Sequence, residues 1–205
     1  MVKPSKIVLA SSNAGKLKEF SDMLANFQIE VVPQSQFNVS DAEETGLSFV
    51  ENAIIKARHA CQQTGLPSLA DDSGLEVDAL NGAPGIYSAR YSGPNSSDLR
   101  NVDKLLLDLQ AIPEPLRTGR YQCVLVFMRH ALDPTPLICQ GSWEGKLLFE
   151  PKGQGGFGYD PIFYCPEMRL TAAEMSAEAK HSVSHRGLAM NALVSQLNRW
   201  LGVPA

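Results

Sequence analysis

Apolar and polar positions alternate between short strands and amphipathic helices in the first half of the chain. Short segments rich in apolar residues predict strands at residues 7–10, 29–32 and 68–71. Apolar residues at helical spacing predict helices over residues 14–27 and 47–63. Strands that alternate with helices in this way are typical of an α/β fold.

The second half begins with a helix and continues with strands. Residues 98–110 predict a helix, and residues 120–129 and 137–149 predict two long antiparallel strands. The residues on the predicted inward face of this helix are Leu99, Val102, Leu105, Leu106 and Leu109. The complete pattern predicts an α/β fold with a mixed central β-sheet flanked by helices.

The C-terminal segment predicts two further helices. A T-x-x-E capping box predicts a short helix over residues 171–175. Ser184 is the predicted N-cap of a last helix that continues to about Leu201. The residues predicted to be buried on this last helix are Leu188, Leu193, Leu197 and Trp200.

Length, charge and cysteine usage predict a cytoplasmic globular protein. The 205 residues suit a single domain, residues 1–205, with two lobes around one cleft. The formal net charge of −4 disfavours binding to bulk nucleic acid. We expect no signal peptide and no contact with membranes, since no apolar run approaches a span of about 20 residues. The cysteines lack metal-binding spacing and are predicted to be buried free thiols, which suits a reducing compartment; they are Cys61, Cys123, Cys139 and Cys165.

Two adjacent carboxylates, Asp71 and Asp72, follow an apolar run and precede Ser73 and Gly74. We predict a tight turn here, with a further strand over residues 75–77. The two charges repel by about 1 kcal/mol in water and about 4 kcal/mol at an effective dielectric near 20. A divalent cation or a shared proton would offset that repulsion. Asp72 is therefore a candidate Mg²⁺ ligand or general base, and the alternative is a turn in which Asp and Gly serve only backbone geometry.

The motif SSNAGK lies between a predicted strand and a predicted helix, at residues 11–16. A helix N-terminus offers free N–H groups and a partial positive charge, which suit phosphate, and Lys16 adds a full charge. The motif is not a Walker A loop, because that pattern requires glycine at Ala10 and Ser or Thr at Leu17. The alternative is an ordinary helix start with a surface lysine.

A second acidic segment, Glu43 and Glu44, precedes the helix that carries Asn52 and Lys56. Its carboxylates are candidates to join the aspartate pair around Mg²⁺, which prefers a few carboxylates together with phosphate oxygens and water. Asn52 and Lys56 are four residues apart and therefore share a helix face. The alternative is a solvated acidic loop that caps the helix.

Two motifs near the C-terminus carry candidate base-binding groups. In GGFGYDP, glycines flank Phe157 and favour stacking of its ring on a flat ligand, while Asp160 supplies an acceptor; the alternative is an aromatic plug in the core. In KHSVSHR, Lys180, His185 and Arg186 gather donors at the predicted start of the last helix. The alternative is an N-cap flanked by exposed basic residues, but basic residues are unfavourable at a helix N-terminus, so a binding role is favoured.

Together these motifs resemble the inosine triphosphate pyrophosphatase family, and their order and spacing are closest to its bacterial branch. The resemblance extends from Ile7 to about Leu201 and rests on SSNAGK, AEETGLSFVENA, LADDSGLEVDALNGAPGIYSARYSG, GGFGYDPIF and VSHRG. It implies Mg²⁺-dependent hydrolysis of ITP, dITP and XTP between the α and β phosphates, which releases the nucleoside monophosphate and pyrophosphate. It also implies a homodimer and a two-lobed α/β fold with the active site between the lobes.

The resemblance further implies roles for individual residues. Asp72 takes the catalytic acid–base position and also contacts the metal. Glu43 falls at the other metal position, with the adjacent Glu44 as the alternative register. The implied substrate-binding residues are Ser11, Ser12, Asn13, Ala14, Gly15, Lys16, Ser73, Phe157, Gly158, Tyr159, Asp160, Lys180, His185 and Arg186. His181 departs from the family pattern, which has Asn or another small polar residue there, and this predicts a modest change in polarity beside Lys180.

Two competing functions use the same residues. A phosphatase that releases orthophosphate from nucleotides or sugar phosphates would need the same Mg²⁺ and carboxylates. A nucleotide-binding module without catalysis would bind triphosphate tightly and show no Mg²⁺-dependent turnover. The products of the reaction distinguish all three.

Overall fold

The strands form a mixed sheet. The structure, a computed structural model, describes residues 4–11 and 13–201. Within them the strands are β1 (Lys6–Leu9), β2 (Glu30–Pro33), β3 (Ser68–Val77), β4 (Thr118–Met128), β5 (Leu137–Leu147), β6 (Phe163–Cys165) and β7 (Leu170–Thr171). Their order is β2-β1-β3-β4-β5-β6-β7. β1 pairs in parallel with β2 and β3, whereas β6 pairs antiparallel with β5 and β7. The predicted α/β fold with a mixed sheet is confirmed.

The helices begin at side chains that cap them. They are α1 (Ala14–Leu24), α2 (Phe49–Thr64), α3 (Asp98–Asp108), α4 (Ala177–Val183) and α5 (His185–Leu201). The side chains of Asn13, Ser48 and Ser97 accept hydrogen bonds from backbone N–H groups at the starts of α1, α2 and α3. Gly65 ends α2 with φ of 68°, a left-handed conformation that favours glycine. None of the helices in the described residues is long and apolar enough to cross a bilayer.

The described residues divide into two compact units. The first takes in the described parts of Met1–Asp72, Val124–Gln140 and Ala189–Ala205, and the second takes in Ser73–Cys123 and Gly141–Leu188. Each has its own apolar core. The core of the first includes Val8, Val32, Ala57, Ala70 and Val126. The core of the second includes Leu75, Leu105, Tyr121, Trp143 and Phe163.

The predicted turn at the aspartate pair is wrong, because β3 runs without interruption from Ser68 to Val77. Two lysines from neighbouring helices take up the aspartate charges, so the strand need not break to expose them. Ser88 provides further support, since its hydroxyl accepts a hydrogen bond of 2.8 Å from the backbone of Leu75.

The predicted helix over residues 171–175 is also wrong. Thr171 instead ends β7, and its backbone N–H donates to the Glu174 carboxylate at 2.8 Å, so the Thr–Glu contact closes a turn. The helix that does form is α4, which the sequence analysis missed. Lys180 and His181 therefore lie in the last turn of α4, where positive charge is favourable, rather than at the start of the last helix. Ser184 follows, and its hydroxyl accepts from the backbone of Gly187 at 3.2 Å, as expected of an N-cap.

Two predicted core leucines are exposed. Leu99 is 69% exposed because it lies in the first turn of α3, at the edge of the apolar stripe. Leu188 is 42% exposed, because the residue that lies one helical turn before buried Leu193 on the same face is Ala189. Leu193 is buried as predicted, as is Leu197, while the side chain of Trp200 lies outside the described residues. The four cysteines are buried and free, as predicted.

Candidate functional site

Five charged residues of the first unit form what we call the acidic cluster. Its members are Lys16, Glu44, Lys56, Asp71 and Asp72. Asp71 and Asp72 are consecutive in β3, so their side chains point in opposite directions. The Asp71 carboxylate accordingly pairs with Lys16 of α1, whereas the Asp72 carboxylate pairs with Lys56 of α2. The strand thereby separates two charges that the sequence places side by side.

Asp72 is the least compensated carboxylate of this cluster. Its Oδ1 accepts a hydrogen bond of 2.6 Å from Lys56 Nζ, and Lys56 also donates to Glu44 Oε1 at 3.1 Å. Its Oδ2 is buried and has no hydrogen-bond partner among the residues that the structure describes. A buried carboxylate oxygen in that condition is costly, so it marks a place where a cation or a donor belongs.

The surroundings raise the pKa of Asp72. Burial is the largest cause, and the negative charges of Glu44 and Asp71 add to it, while Lys56 opposes them only in part. Burial alone would lower the pKa of Lys56, but attraction to Asp72, Glu44 and Asp71 outweighs it and raises that pKa instead. Lys56 therefore stays charged, and Asp72 is a stronger base than an ordinary aspartate.

Of the two predicted glutamates, Glu44 is the one beside this cluster. Glu44 is partly buried and reaches Lys56, whereas Glu43 is exposed. Across residues 4–11 and 13–201, no group of three His, Cys, Asp or Glu side chains lies close enough to hold a metal ion. Two carboxylates suffice for a Mg²⁺ site that phosphate oxygens and water complete.

The SSNAGK segment forms the start of α1, as predicted. The hydroxyl of Ser11 accepts from the backbone of Asn13 at 3.1 Å, and the Asn13 side chain accepts from the backbone of Lys16 at 3.0 Å. Ala14 and Gly15 are in the first turn of α1, while Ser12 lies outside the described residues. Lys16 is the link between this segment and the acidic cluster, through its ion pair with Asp71.

In the second unit, five residues form what we call the aspartate–aromatic cluster. Its members are Tyr121, Phe157, Asp160, Lys180 and His185. Asp160 is buried and forms an ion pair with Lys180, and it accepts from the backbone of Phe157 at 2.9 Å. Phe157 is 58% exposed, so its ring is available for stacking and the core-plug alternative is wrong. Lys180 Nζ lies 4.9 Å from the centre of that ring, a cation–π contact.

The loop that carries Phe157 depends on its glycines and on Asp98. Gly156 has φ of 72°, and a Cβ at that position would collide with the Asp160 carboxylate. Gly158 donates its backbone N–H to Asp98 at 2.7 Å. Tyr159 is buried in the core and donates its hydroxyl to the backbone of Ser88 at 2.8 Å. The side chain of Tyr159 therefore anchors this loop in the core, whereas the ring of Phe157 is exposed.

Arg186 connects three of the predicted segments. Its guanidinium carbon lies 5.9 Å from the centre of the Phe157 ring, and Nη2 donates to the hydroxyl of Ser73 at 3.3 Å. Ser73 is bonded directly to Asp72 along the chain. Segments around residues 73, 157 and 186, which are 84 and 29 positions apart in sequence, therefore meet in the second unit.

Sequence reasoning missed Tyr121 entirely. It lies within β4, where an aromatic residue is ordinary, and no motif contains it. Its hydroxyl nevertheless lies 3.3 Å from Asp160 Oδ1, and its ring stacks on that of His185 at 4.7 Å between centres. The sequence does not indicate that the Tyr121 hydroxyl is buried beside a carboxylate, because Asp160 and His185 become its neighbours only in the folded chain.

Comparison with known proteins gives consistent results over nearly the whole chain. The family model described as the Ham1 family matches residues 7–196. A protein from Vibrio parahaemolyticus named dITP/XTP pyrophosphatase is 58% identical over 193 residues, which cover 94% of this chain and 96% of the relative. A Vibrio cholerae protein of the same name is 59% identical over 188 residues, covering 92% and 94%.

Solved structures agree with the sequence matches. The structure of a HAM1 protein from Coxiella burnetii superposes with a TM-score of 0.91 at 51% identity, and covers 95% of this chain and 98% of the other. A nucleoside-triphosphatase, or dITP/XTP pyrophosphatase, from Mycobacterium abscessus superposes with a TM-score of 0.76 at 43% identity, covering 92% and 98%.

Proposed function

The chain belongs to the Ham1 family, and we propose that it hydrolyses the non-standard purine nucleoside triphosphates dITP, ITP and XTP. The products are the nucleoside monophosphate and pyrophosphate. The observation that carries this proposal is the acidic cluster, in which Asp72 has a raised pKa and a buried, unpartnered oxygen. Relatives named dITP/XTP pyrophosphatase support the substrate class.

Asp72 acts as the general base. It accepts a proton from the water that attacks one phosphorus of the triphosphate, and pyrophosphate then leaves. A carboxylate with a raised pKa is suited to this step, because proton transfer is most efficient when the pKa of the base approaches the working pH. Lys56 holds Asp72 in place through its hydrogen bond of 2.6 Å.

The acidic cluster fits a divalent cation because Asp72 Oδ2 is buried and unpartnered within the part of the chain that the structure describes. Asp72 and Glu44 would hold the ion, with Glu43 as the alternative. When bound, Mg²⁺ would withdraw negative charge from the phosphate oxygens. Side chains and backbone N–H groups of the protein make the other interactions with the phosphates.

The start of α1 binds the phosphates. The backbone N–H groups of its first turn, apart from that of Lys16, which Asn13 caps, and the ammonium of Lys16 stabilise the charge that develops on the leaving pyrophosphate. Lys16 is already held by Asp71, so its charge is positioned before the substrate arrives. This gives Asp71 a supporting role, which the sequence left open.

The aspartate–aromatic cluster binds the purine. Phe157 offers its exposed ring for stacking, and the ammonium of Lys180 and the guanidinium of Arg186 lie over that ring. These donors suit the carbonyl at C6 of hypoxanthine and xanthine. Adenine has an amino group there, and a donor left facing it unpaired would cost about 1–3 kcal/mol.

A product assay tests this function against its rivals. Purified protein with Mg²⁺ is given dITP, XTP, GTP and ATP separately, and pyrophosphate and orthophosphate are measured. Pyrophosphate from dITP and XTP is the expected result. Far less is expected from ATP, which has an amino group at C6, and from GTP, which shares the C6 carbonyl but is absent from the substrates in the relatives' names. Orthophosphate released stepwise would support a phosphatase, and tight binding without turnover would support a nucleotide-binding module.

We further propose a homodimer that works in the cytoplasm, as a single domain. The buried free thiols support a reducing compartment. The dimer follows from the resemblance described above, and sedimentation of the purified chain at about twice 22.3 kDa is the expected result. Sedimentation as a monomer across the working concentration range would contradict it.

A further inference from the structure

Both oxygens of the Asp160 carboxylate are engaged. Oδ2 accepts from the backbone N–H of Phe157 at 2.9 Å and from the ammonium of Lys180. Oδ1 accepts from the hydroxyl of Tyr121 at 3.3 Å. The side chain of Asp160 is only 3% exposed, so water does not compete for these positions. Donors from β4, from the Phe157 loop and from α4 thus fix the plane of one carboxylate.

The ring of Tyr121 is fixed as firmly as its hydroxyl. It lies nearly parallel to the imidazole of His185, with an interplanar angle of 12°. It also contacts Phe163 and Trp143, at 4.6 and 6.2 Å between ring centres. Tyr121 therefore touches both segments proposed to bind the purine, through its oxygen on one side and its ring face on the other.

The hydroxyl of Tyr121 acts as a donor throughout the physiological pH range. Burial, and then the negative charge of Asp160, raise the pKa of Tyr121 well above its usual value. The proton consequently remains on the phenol and points at the carboxylate. Without it, Asp160 Oδ1 would be a buried acceptor lacking this donor, and the carboxylate could turn.

We propose that Tyr121 is a positioning residue for purine recognition, which acts by fixing the Asp160 carboxylate and the plane of the His185 ring. This inference rests on the proposed function. The ion pair with Asp160 positions Lys180. If the Asp160 carboxylate rotates, the Lys180 ammonium moves with it and away from the position at which it would donate to the C6 carbonyl. Selectivity for the carbonyl over an amino group then falls, while the acidic cluster in the first unit is unaffected.

The test is Tyr121→Phe, which removes one oxygen and keeps the ring stack. We expect KM for dITP to rise about three- to tenfold, the range for one hydrogen bond, with kcat within about twofold of the wild type. The ratio of kcat/KM for dITP to that for dATP should fall. Tyr164→Phe is the matched control, since it removes a hydroxyl from a half-buried tyrosine of β6. It should leave KM and the ratio unchanged.

A double variant separates positioning from a general loss of structure. If Tyr121 acts through Asp160, then Tyr121→Phe should add less than twofold to KM when Asp160→Asn is already present. Tyr121→Phe with wild-type KM and wild-type selectivity would overturn the inference and leave the proposed function intact. So would a change in kcat alone. A wild-type protein that releases no pyrophosphate from dITP or XTP would overturn the proposed function, and this inference with it.

Discussion

The carboxylates of the acidic cluster and of the aspartate–aromatic cluster differ in how fully their oxygens are paired with donors. In the acidic cluster, three carboxylates share two lysines, and one oxygen of Asp72 is buried with no hydrogen-bond partner among the described residues. In the aspartate–aromatic cluster, a single carboxylate, Asp160, accepts from three donors. The first cluster is short of positive charge and the second is saturated with donors.

This difference in pairing suits the two carboxylates to different roles, one in catalysis and one in positioning. A carboxylate that lacks a donor can still take a cation or a proton, which is what a metal ligand or a general base must do. A carboxylate with every oxygen engaged cannot do so, but it holds its neighbours in place. Chemistry is therefore expected from Asp72 and recognition from the neighbours of Asp160.

The largest expected effect is the loss of the base. Asp72→Asn should lower kcat by about 10²-fold or more, given that general bases contribute about 10²–10⁴-fold. Pyrophosphate release at saturating dITP measures it. Asp103→Asn, at an exposed carboxylate of α3, is the control and should turn over normally. Near wild-type turnover in Asp72→Asn would remove Asp72 from the mechanism.

The next effect concerns recognition. Phe157→Ala removes a stacking surface worth about 1–3 kcal/mol per base, so KM for dITP should rise about 5- to 150-fold while kcat changes less. Steady-state kinetics with dITP measure both. Phe149→Ala is a closely matched control, because Phe149 is 59% exposed and Phe157 is 58% exposed. Equal effects of the two variants would contradict a stacking role for Phe157.

A smaller effect separates the two glutamates. Glu44→Gln should raise the Mg²⁺ concentration needed for half-maximal activity by about tenfold, a typical cost of disturbing a metal site. Glu43→Gln should leave that concentration nearly unchanged, because Glu43 is exposed and Glu44 reaches Lys56. The reverse outcome would assign the metal position to Glu43.

The smallest effect, on stability alone, comes from a saturated carboxylate outside both clusters. Asp133 accepts from the backbone of Arg129 at 3.0 Å, from its guanidinium, and from the backbone of Thr135 at 3.0 Å. The guanidinium hydrogen bonds are the largest cause that holds the pKa of Asp133 below its usual 3.8. Asp133→Asn should lower the free energy of unfolding by about 1–2 kcal/mol at pH 7 and leave kcat unchanged.

The pH dependence of that variant has a definite direction. A lowered folded-state pKa means that the carboxylate stabilises the fold above the unfolded-state value near 3.8. The stabilisation is lost as the pH falls further, through the folded-state pKa. Urea unfolding of wild type and Asp133→Asn should therefore differ at pH 7, and the difference should shrink progressively as the pH falls below about 4. A difference that grows on acidification would contradict the role of the Asp133 carboxylate.

The sequence predicted most elements of this fold but misjudged the places where tertiary contacts override local signals. Helical spacing correctly located α2 and α3, and apolar runs located β1 and β2. The Asp-Asp-Ser-Gly string is typical of a turn, yet it lies inside β3 because lysines neutralise it there. The capping box at Thr171 was misleading for a similar reason, since pairing with β6 holds Thr171 in a strand.

The chemical types of the candidate site were fixed by the amino-acid sequence alone. Each candidate group lies in a contiguous segment whose residue types are visible in the sequence. These segments are the acidic pair, the SSNAGK segment, the FGYD loop and the Lys180–Arg186 region. Which charges meet was decided only by the tertiary structure. Lys16 meets Asp71 across 55 positions of sequence, Lys56 meets Asp72 across 16, and Tyr121 meets Asp160 across 39. Local periodicity carries no information about such partners, because they come together only when helices and strands pack against one another.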